Sequence, residues 1–395
     1  MLSEQAVPVV RATLPAVGGA LDQITERFYG RLFAAHPELL RDLFNRGNQA
    51  NGEQRQALAG SIAAFAVALL ENPDSRPDTM LARIAHKHAS LGVTSAQYKV
   101  VHEHLFAAIV EVLGDAVTPE VAQAWDEVYW LMANALIAVE ARLYQESGVP
   151  EGEVWRTMEI AERHEETDDT VSFTLRHADG TPTASFRPGQ YVSVRVALPD
   201  GARQIRQYSL SAAPGRPQWR ITVKRVDGDP AGEVSSWLHA HTRAGDSVEV
   251  SAPFGDLVLP EDQSPLLLAS AGIGSTPMLA MLDHLAATGS TRPVAVVHAD
   301  RSPASHAHAD ELRRLVGALP QGTLHLWYEE PGDSGAHPGR ADVTTLDLPA
   351  GTTAYLCGPL PFLRAVRGDL LGGGIPAADI HYEVFGPDLW LGTES

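Results

Sequence analysis

The spacing of apolar residues changes twice along this chain, and those changes limit the folds that it can adopt. From residue 1 to about 147, apolar residues recur every three or four positions and glycine is sparse, which indicates a helical domain. From about 154 to 258 they alternate in twos, in segments such as QYVSVRVAL and WRITVKRV, as in an antiparallel barrel or sandwich. From 264 onward, strands such as PLLLASAG alternate with helical segments, the βαβ pattern of a parallel sheet. We therefore predict three domains, at residues 1–147, 152–260 and 264–395.

Charge and cysteine content exclude several classes of protein. The net charge is −19 with no basic tail or stripe, so nucleic acid and anionic membranes would repel the chain. The single cysteine, Cys357, excludes internal disulfides and a cysteine-based metal cluster, as expected in a reducing compartment. The N-terminal segment MLSEQAVPVVRATLP does not resemble a signal peptide, and the longest apolar runs reach about half a membrane span. We expect a soluble cytoplasmic protein with no stable membrane insertion.

Two histidines lie two positions apart in the segment RIAHKHASLGV, residues 83–93. On an α-helix that separation is about 200° around the axis, so the two rings cannot serve one site together. The apolar stripe of the helix includes one of them and runs through Leu81, Ile84, His88 and Leu91. His86 lies on the more solvated side of the helix, together with Arg83, Lys87 and Ser90. An imidazole on a buried face needs partners for its nitrogens, so His88 is either a core histidine or a ligand.

A carboxylate on the last helix of this domain bears on that choice. The stripe of YWLMANALIAVEARLY runs through Tyr129, Met132, Leu136, Glu140 and Leu143. A glutamate on a core face is costly unless it is paired. A buried Glu beside a buried His is expected where the imidazole is a metal ligand, because the carboxylate accepts the proton of the other ring nitrogen. A purely structural Glu–His pair explains the spacing equally well, and both explanations stay open.

The segments LDQITERFYGRLFAAHPELLRDLFNRGNQANGEQRQAL and RIAHKHASLGVTSAQYKVVHEHLF resemble the globin domain of bacterial flavohaemoglobins. The later segments resemble the flavin and nicotinamide domains of the same family, so the likeness covers essentially the whole chain. It implies an all-α globin, then an antiparallel β-barrel FAD domain, then an α/β parallel-sheet NAD(P) domain of the ferredoxin-reductase type. The implied cofactors are haem b, FAD and NAD(P)H.

The resemblance also assigns roles in the haem pocket. His88 is implied as the proximal iron ligand, with Tyr98 and Glu140 hydrogen-bonded behind it. Such a set favours activation of oxygen over its storage. On the distal side, Tyr29 is implied as the hydroxyl that bonds the bound gas and Phe44 as the ring that wedges the haem. Gln54 and Leu58 are spaced i, i+4, so they share a helical face that can reach the same ligand.

Three segments of the second domain form a flavin pattern. RQYSL presents a cation for a pyrophosphate, an aromatic face for the isoalloxazine and a hydroxyl for a hydrogen bond. GEVSSWL opens a helix whose first backbone N–H groups can hold a phosphate, although a plain N-cap explains it too. RPGQYVSV completes the resemblance to the family's flavin barrel. The implied FAD-binding residues are Tyr191, Arg206, Gln207, Tyr208, Ser209, Gly232 and Ser235.

Two loops of the third domain form a dinucleotide pattern. In LLLASAGIGSTPMLAML, a glycine loop lies between a buried strand and a helix, where the backbone can approach a pyrophosphate. YLCGP follows a later strand and resembles the family's second nicotinamide-side loop, with Cys357 lining the site. The implied NAD(P)-binding residues are Gly272, Ile273, Gly274, Ser275, Thr276, Pro277, Cys357, Gly358 and Pro359. Asp300 would favour a free ribose hydroxyl and the adjacent Arg301 a 2′-phosphate, so the choice between NADH and NADPH stays open.

The C-terminal segment HYEVFGP matches the family segment that packs beside the flavin, which implies FAD contacts from Val384, Phe385, Gly386 and Pro387. Family members often have cysteine at the position of Val384. Because valine has no thiol, a thiol role is excluded at this position. Glu383 and Lys87 are expected to tune electron transfer, Lys87 by facing the flavin edge. A solvated lysine explains Lys87 as well.

The resemblance implies a nitric oxide dioxygenase that acts on NO and O2 and needs no partner protein. A second hypothesis is a haem–flavin reductase of peroxides, or of NO without oxygen. A third is a haem-based gas sensor, which would need an output domain. The predicted reductase uses residues 150–395, so the sensor ranks last.

Overall fold

The computed structural model describes residues 1–50, 52–73 and 76–386, which divide into two compact units. The first contains Met1–Trp155 and the short segment Val196–Ile205. The second contains Arg156–Arg195 and Arg206–Gly386. Among the described residues, no helix combines the length and the apolar composition that crossing a membrane requires.

The first unit is helical, as predicted. Its described α-helices are α1 (Ala6–Ala35), α2 (Pro37–Asp42), α3 (Arg46–Ala50), α4 (Glu53–Glu71), α5 (Asp78–Leu91), α6 (Ser95–Leu113) and α7 (Pro119–Glu146). Along α1, Leu21, Ile24, Phe28 and Leu32 are buried at steps of three and four. Burying each such side chain contributes roughly 1.5–3 kcal/mol, so the apolar stripe holds the long helix against α4, α6 and α7.

The turn between α5 and α6 is specified by local chemistry. Gly92 ends α5 with a φ of 77°, a left-handed conformation that favours glycine. The N–H of Val93 donates to the carbonyl of His88, which satisfies one of the last carbonyls of the helix. Thr94 and Gln97 then form a capping box that starts α6. This turn brings the end of α5 and the first turn of α6 close together.

The second unit begins with a six-stranded sheet in the order β4-β3-β6-β1-β2-β5. The pairs β1–β2, β2–β5 and β3–β6 are antiparallel. A bridge between Leu210 and Ile221 joins the two outer strands, so the sheet curls toward a barrel. Its strands are β1 (Trp155–Thr167), β2 (Thr170–Arg176), β3 (Tyr191–Ala197), β4 (Arg203–Ser209), β5 (Trp219–Lys224) and β6 (Ser247–Ser251), with α8 (Glu233–His241) between β5 and β6.

The chain then forms a parallel sheet in the order β10-β9-β8-β7-β11-β12. Its strands are β7 (Leu266–Ala271), β8 (Val294–Asp300), β9 (Gly322–Tyr328), β10 (His337–Pro338), β11 (Thr353–Cys357) and β12 (Ile380–Glu383). The helices are α9 (Ser275–Ala287), α10 (Ala309–Gly317) and α11 (Leu360–Gly372). The strand order reverses at β7, which lies between β8 and β11, and such a switch point is where open α/β sheets bind ligands.

A buried carboxylate joins the two lobes of the second unit. Asp283 of α9 is 5% exposed, and its Oδ2 accepts hydrogen bonds from the backbone N–H of Ala213 at 2.8 Å and from Arg216 at 2.5 Å. Ala213 and Arg216 belong to the segment between β4 and β5. Because a buried carboxylate that loses its hydrogen-bond donors is strongly destabilised, these contacts hold the barrel strands in a defined position relative to the parallel sheet.

Candidate functional site

Three side chains from three helices form a hydrogen-bonded triad in the first unit. His88 Nδ1 lies 2.9 Å from Glu140 Oε1 and 2.9 Å from the Tyr98 hydroxyl oxygen. The Tyr98 hydroxyl donates to Glu140 Oε1 at 2.6 Å. Glu140 is only 2% exposed, as its position on the core face predicts. Tyr129 of α7 donates to the Tyr98 carbonyl at 2.6 Å, which ties the first turn of α6 to α7.

The hydrogen bonds of the triad determine the tautomer of His88. Burial, together with the charge of Glu140 and the hydrogen bond to it, raises the pKa of Tyr98, so the phenol stays protonated and donates to the carboxylate. The Glu140 Oε1 and Tyr98 hydroxyl oxygens near Nδ1 therefore both act as hydrogen-bond acceptors, so the ring proton lies on Nδ1. Nε2 makes no hydrogen bond with any described residue and keeps its lone pair. An imidazole oriented in this way is prepared to bind a metal through Nε2.

The face of α5 that carries His88 differs from the predicted stripe. Leu81, Ala85 and Ala89 are fully buried, whereas the His88 side chain is 34% exposed. Ser90, predicted on the wetter side with His86, is fully buried, and its hydroxyl donates to the Lys87 carbonyl at 2.8 Å. The two alanines allow α5 to pack closely against α7, which turns the helix by about one position from the predicted face. Ile84, His86, Lys87 and Leu91 are half-buried, and the role of Lys87 stays a prediction.

Aromatic rings surround the hydroxyl-bearing residue predicted for the distal side. Tyr29 of α1 is 5% exposed, and its ring stacks on Phe33 with centroids 5.5 Å apart. Phe44 meets both rings edge-on, at 5.8 Å from Tyr29 and 5.3 Å from Phe33. Phe28 adds a further contact with Tyr29 at 4.7 Å. The structure thus brings the predicted pair Tyr29 and Phe44 together in one apolar cluster.

Two amide side chains face the Tyr29 hydroxyl. Burial raises the pKa of Tyr29, and the amide groups of Gln54 and then Gln49 near the hydroxyl oppose that rise without reversing it. Gln54 lies in the first turn of α4, and Leu58 follows one turn later as a half-buried residue. The sequence interpretation did not include Gln49, because Gly52 with φ of 82° separates it from the periodic helix that carries Gln54. The Gln49 Nε2 atom is buried without a hydrogen-bond partner among the described residues.

Gln204, which the sequence interpretation also missed, braces the segment that carries Phe44. Gln204 is fully buried, and its Nε2 donates to the carbonyls of Arg41 at 3.0 Å and Phe44 at 3.2 Å. Its Oε1 accepts from the N–H of Arg46 at 3.2 Å. Gln204 belongs to the segment Val196–Ile205, which clusters with the helical unit. No local pattern predicts this contact, because it joins residues about 160 positions apart.

In the second unit, the RQYSL strand and the GEVSSWL helix come together. Arg206 of β4 lies 4.0 Å from Glu233 in the first turn of α8. Tyr208 projects on the same side of the strand as Arg206, and burial raises its pKa. Gln207, on the opposite side, donates to Ser193 at 3.1 Å. A cation and an aromatic ring therefore lie on the same side of the strand, and that side faces the start of a helix. The cation can bind the pyrophosphate of a flavin, and the aromatic ring can contact its isoalloxazine.

Other residues of the predicted flavin pattern have structural partners. The hydroxyl of Ser235 accepts from the N–H of Val226 at 3.1 Å, and the N–H of Gly232 donates to the Val226 carbonyl at 2.9 Å. These groups hold the loop before α8, so a phosphate would be met by other N–H groups of the first turn. Tyr191 and Ser209 are buried, at 7% and 4% exposed.

The two glycine loops of the parallel sheet touch at the switch point. Gly272–Gly274 follows β7, and a Cβ atom on Gly274 would lie 2.3 Å from the Cys357 carbonyl oxygen after β11. Only glycine therefore allows the two loops to approach so closely. The thiol of Cys357 is fully buried, and burial raises its pKa, so it is not a nucleophile. Ser275, Thr276 and Pro277 open α9, where a helix N-terminus favours negative charge.

The C-terminal residues of the predicted flavin pattern follow β12. Glu383 ends that strand in register with Cys357 of β11. Val384 is half-buried, and Phe385 is 48% exposed, an unusual exposure for an aromatic side chain. Pro387 lies outside the described residues. The roles of Val384, Phe385 and Gly386 stay predictions.

Three protein families match successive parts of the chain. Residues 26–136 match the globin family. Residues 157–258 match the oxidoreductase FAD-binding domain, and residues 268–368 match the oxidoreductase NAD-binding domain. Their order is the order of the helical unit, the antiparallel sheet and the parallel sheet described above.

Relatives and solved structures combine the same parts. The flavohemoprotein of Rhizobium meliloti is 43% identical to this chain, and the alignment covers 99% of the chain and 100% of the relative. The crystal structure of a flavohemoglobin from Malassezia yamatoensis with bound FAD and heme superposes with a TM-score of 0.90 at 39% identity, over 98% of this chain and 100% of that one. The FAD/NAD-binding domain of a nitric oxide dioxygenase from Vibrio cholerae covers 60% of this chain and 100% of its own length, with a TM-score of 0.57 at 38% identity.

Proposed function

The chain belongs to the flavohaemoprotein family, and from this premise we propose that it is a nitric oxide dioxygenase. It converts NO and O2 to nitrate with electrons that pass from NAD(P)H through FAD to haem iron. One NAD(P)H gives two electrons, which balance the conversion of two NO and two O2 to two nitrates. The observation that carries this proposal is the triad of His88, Glu140 and Tyr98, because it supports an electron-donating iron ligand.

The residues of the helical unit fit a haem b. When bound, haem supplies an iron that binds and activates oxygen. His88 would hold it through Nε2, the nitrogen left free by the triad. Glu140 accepts the Nδ1 proton, which fixes the ring orientation and makes the imidazole a stronger electron donor. Tyr98 satisfies the second hydrogen bond of Nδ1 and keeps the carboxylate in place.

The distal residues supply hydrogen bonds and exclude water. The Tyr29 hydroxyl stays protonated because burial raises its pKa, so it can donate to a bound gas. Gln54 and Gln49 present amide groups to the same hydroxyl and help to orient it. The rings of Phe28, Phe33 and Phe44 make the surroundings apolar, where a hydrogen bond to developing negative charge is strongest.

The second unit fits FAD and NAD(P)H. FAD accepts a hydride and releases single electrons, which couples a two-electron donor to a one-electron acceptor. Arg206 and Tyr208 would receive its pyrophosphate and ring, and the Gly272–Gly274 loop would receive the pyrophosphate of NAD(P)H. Because the chain contains both the oxygen-binding and the reductase parts, no partner protein is required. The coenzyme is an intracellular metabolite, so the proposal places the reaction in the cytoplasm.

The proposal is tested by measuring NO consumption and products with purified protein loaded with haem and FAD. We expect rapid NO consumption only when both O2 and NAD(P)H are present, with one nitrate formed for each NO. Consumption that is no faster with the two co-substrates than without them contradicts the proposal. Nitrous oxide from NO without oxygen, or an alcohol from a peroxide, as the dominant product would favour the haem–flavin reductase instead.

Glu140→Gln should weaken the electron donation of His88. The amide is a poorer acceptor than the carboxylate, so the Nδ1 proton is held less strongly toward it. We expect a lower iron–histidine stretching frequency in the resonance Raman spectrum, a higher iron reduction potential and a loss of roughly 10–100-fold in activity or haem affinity. Glu146→Gln, a matched change at an exposed position of the same helix, should leave all these quantities unchanged. Equal spectra for Glu140→Gln and the unmodified protein would show that the carboxylate is only structural.

A further inference from the structure

The loop after β8 lies beside the switch point of the parallel sheet. β8 is the direct neighbour of β7, the strand that leads into the Gly272–Gly274 loop. In doubly wound sheets the residue at this place meets the adenosine ribose, an acid preferring a free 2′-hydroxyl and an arginine a 2′-phosphate. Here the two residue types are adjacent, as Asp300 and Arg301. The structure distinguishes them by the direction in which each side chain points.

Asp300 points into the protein. Its side chain is 4% exposed. One carboxylate oxygen accepts hydrogen bonds from the Ser305 hydroxyl at 2.8 Å and from the N–H of Arg301 at 2.7 Å. The other lies 3.7 Å from His298 Nε2. The carboxylate therefore organises its own loop, and it does not face a ribose.

A buried pair of histidines packs beside this carboxylate. His298 is fully buried and stacks on His306 with ring centroids 3.9 Å apart. His298 Nδ1 lies 2.9 Å from the Ser270 hydroxyl, and His306 Nδ1 lies 2.7 Å from the hydroxyl of Tyr328, which is also fully buried. These contacts fix the His298 ring, so the inward position of Asp300 is built into the core.

Arg301 points the other way. Its side chain is 67% exposed, and Nη2 lies 3.4 Å from Asp169 Oδ2 in the turn between β1 and β2. Lys224 Nζ lies 3.4 Å from the same oxygen. The other Asp169 oxygen accepts from the hydroxyls of Thr167 and Thr170, both at 2.9 Å. Two cations thus share one carboxylate, and the exposed one, Arg301, can exchange this partner for another anion at little cost.

We propose that Arg301, assisted by Lys224, forms a subsite for the 2′-phosphate of the coenzyme, so that this protein binds NADPH more tightly than NADH. The inference rests on the proposed function for the dinucleotide site. A 2′-phosphate accepts charge-assisted hydrogen bonds from a guanidinium, whereas Asp300, turned inward, presents no carboxylate to repel it. Glu329 and Glu330 follow β9 directly beside this loop, since the N–H of Glu329 donates to the Asp300 carbonyl at 3.1 Å and that of Glu330 to the Arg301 carbonyl at 2.8 Å. Both side chains are exposed, so their carboxylates are hydrated and weaken the subsite less than an inward-facing acid would.

The subsite can be tested without turnover by calorimetry on the full-length protein loaded with haem and FAD. The probes are 2′,5′-ADP, which carries the phosphate, and 5′-ADP, which lacks it. We expect the unmodified protein to bind 2′,5′-ADP at least about 10-fold more tightly, since only this probe offers a phosphate for charge-assisted hydrogen bonds with Arg301. Arg301→Ala should remove that preference and leave the affinity for 5′-ADP unchanged. Arg243→Ala, an exposed arginine in the turn before β6, should keep the preference.

Three results would overturn the inference. Equal binding of the two probes by the unmodified protein, or tighter binding of 5′-ADP, contradicts a phosphate subsite. A preference that persists in Arg301→Ala contradicts the assignment of that residue. A preference that increases in Asp300→Asn shows that this carboxylate faces the ribose after all. Binding of neither probe overturns the dinucleotide site itself, whereas normal binding without NO consumption would overturn only the proposed reaction.

Discussion

Purified His88→Ala protein should show flavin absorbance without a Soret band, because the change removes the imidazole that we propose as the iron ligand. Replacing a partner behind a metal-bound histidine already costs roughly 10–100-fold in metal affinity, so we expect loss of the ligand itself to cost more. The measurement is the haem-to-flavin absorbance ratio after purification. NADH or NADPH should still reduce the flavin, since the Gly272–Gly274 loop, Arg206 and Tyr208 lie in the second unit.

His86→Ala is the matched control for this experiment. His86 lies on the same helix, two positions away, but takes no part in the hydrogen-bonded triad of His88, Tyr98 and Glu140. Its haem-to-flavin ratio should equal that of the unmodified protein. If His86→Ala lost haem and His88→Ala kept it, the assignment of the ligand would be wrong.

His88→Gly separates loss of the ligand from loss of the fold. Replacement of the imidazole leaves Glu140 and Tyr98 in place around the vacated position. Added imidazole should restore the Soret band, because it can bind both the iron and the carboxylate. A His88→Gly protein that keeps native helix content by circular dichroism and still binds haem without imidazole would contradict the proposed role of His88.

The sequence predicted the helical faces of the site only in part. The face of α7 was predicted well enough to place Glu140 in the core, where the structure finds it 2% exposed. The predicted buried face of α5 was wrong by about one position along the helix. Ala85 and Ala89 contribute little to an apolar pattern in the sequence, yet their small side chains allow α5 to pack closely against α7. His88 remains the candidate ligand despite this error, because its Nδ1 pairs with Glu140 while its side chain stays 34% exposed.

Contacts between distant segments had no local signal. Gln49 and Gln204 are polar residues outside any periodic stripe, and only the folded chain brings them to the Tyr29 hydroxyl and to the Phe44 segment. Strand β1 has only a weak local signal for a related reason, because its residues are mostly polar and partly exposed although it lies in the middle of the sheet. The predicted domain boundaries near residues 148 and 262 stay predictions.

Asp300, the last residue of β8, and the adjacent Arg301 illustrate a different limit. The sequence places Asp300 and Arg301 at the end of a strand, but it contains no information on which side chain faces inward. That direction depends on Ser305 and on the buried ring of His298, which lie on either side along the chain. The motif therefore predicts the position of the proposed subsite, and the packing of its neighbours shows which of the two side chains is exposed.

Tyr29→Phe should speed the release of bound oxygen by roughly 10–100-fold, because it removes one hydrogen bond to a ligand that carries partial negative charge. The ring packing against Phe33 and Phe44 is retained, so the haem content should not change. Burial raises the pKa of the Tyr29 hydroxyl, so it remains a donor throughout the neutral range. The difference in oxygen off-rate between Tyr29→Phe and the unmodified protein should therefore be independent of pH between about 6 and 9.

The off-rate is measured by flash photolysis or by rapid mixing with carbon monoxide, and flavin reduction by NAD(P)H is measured in parallel. Flavin reduction should be unchanged, because Tyr29 belongs to the first unit and the flavin residues to the second. Tyr355→Phe removes a buried hydroxyl from the second unit, where it donates to the Val258 carbonyl at 3.2 Å, and should leave the oxygen off-rate unchanged. An unaltered off-rate in Tyr29→Phe would mean that the tyrosine serves packing alone. The donor to the bound gas would then have to be Gln54 or Gln49, and Gln54→Leu and Gln49→Leu would show which of the two amides it is.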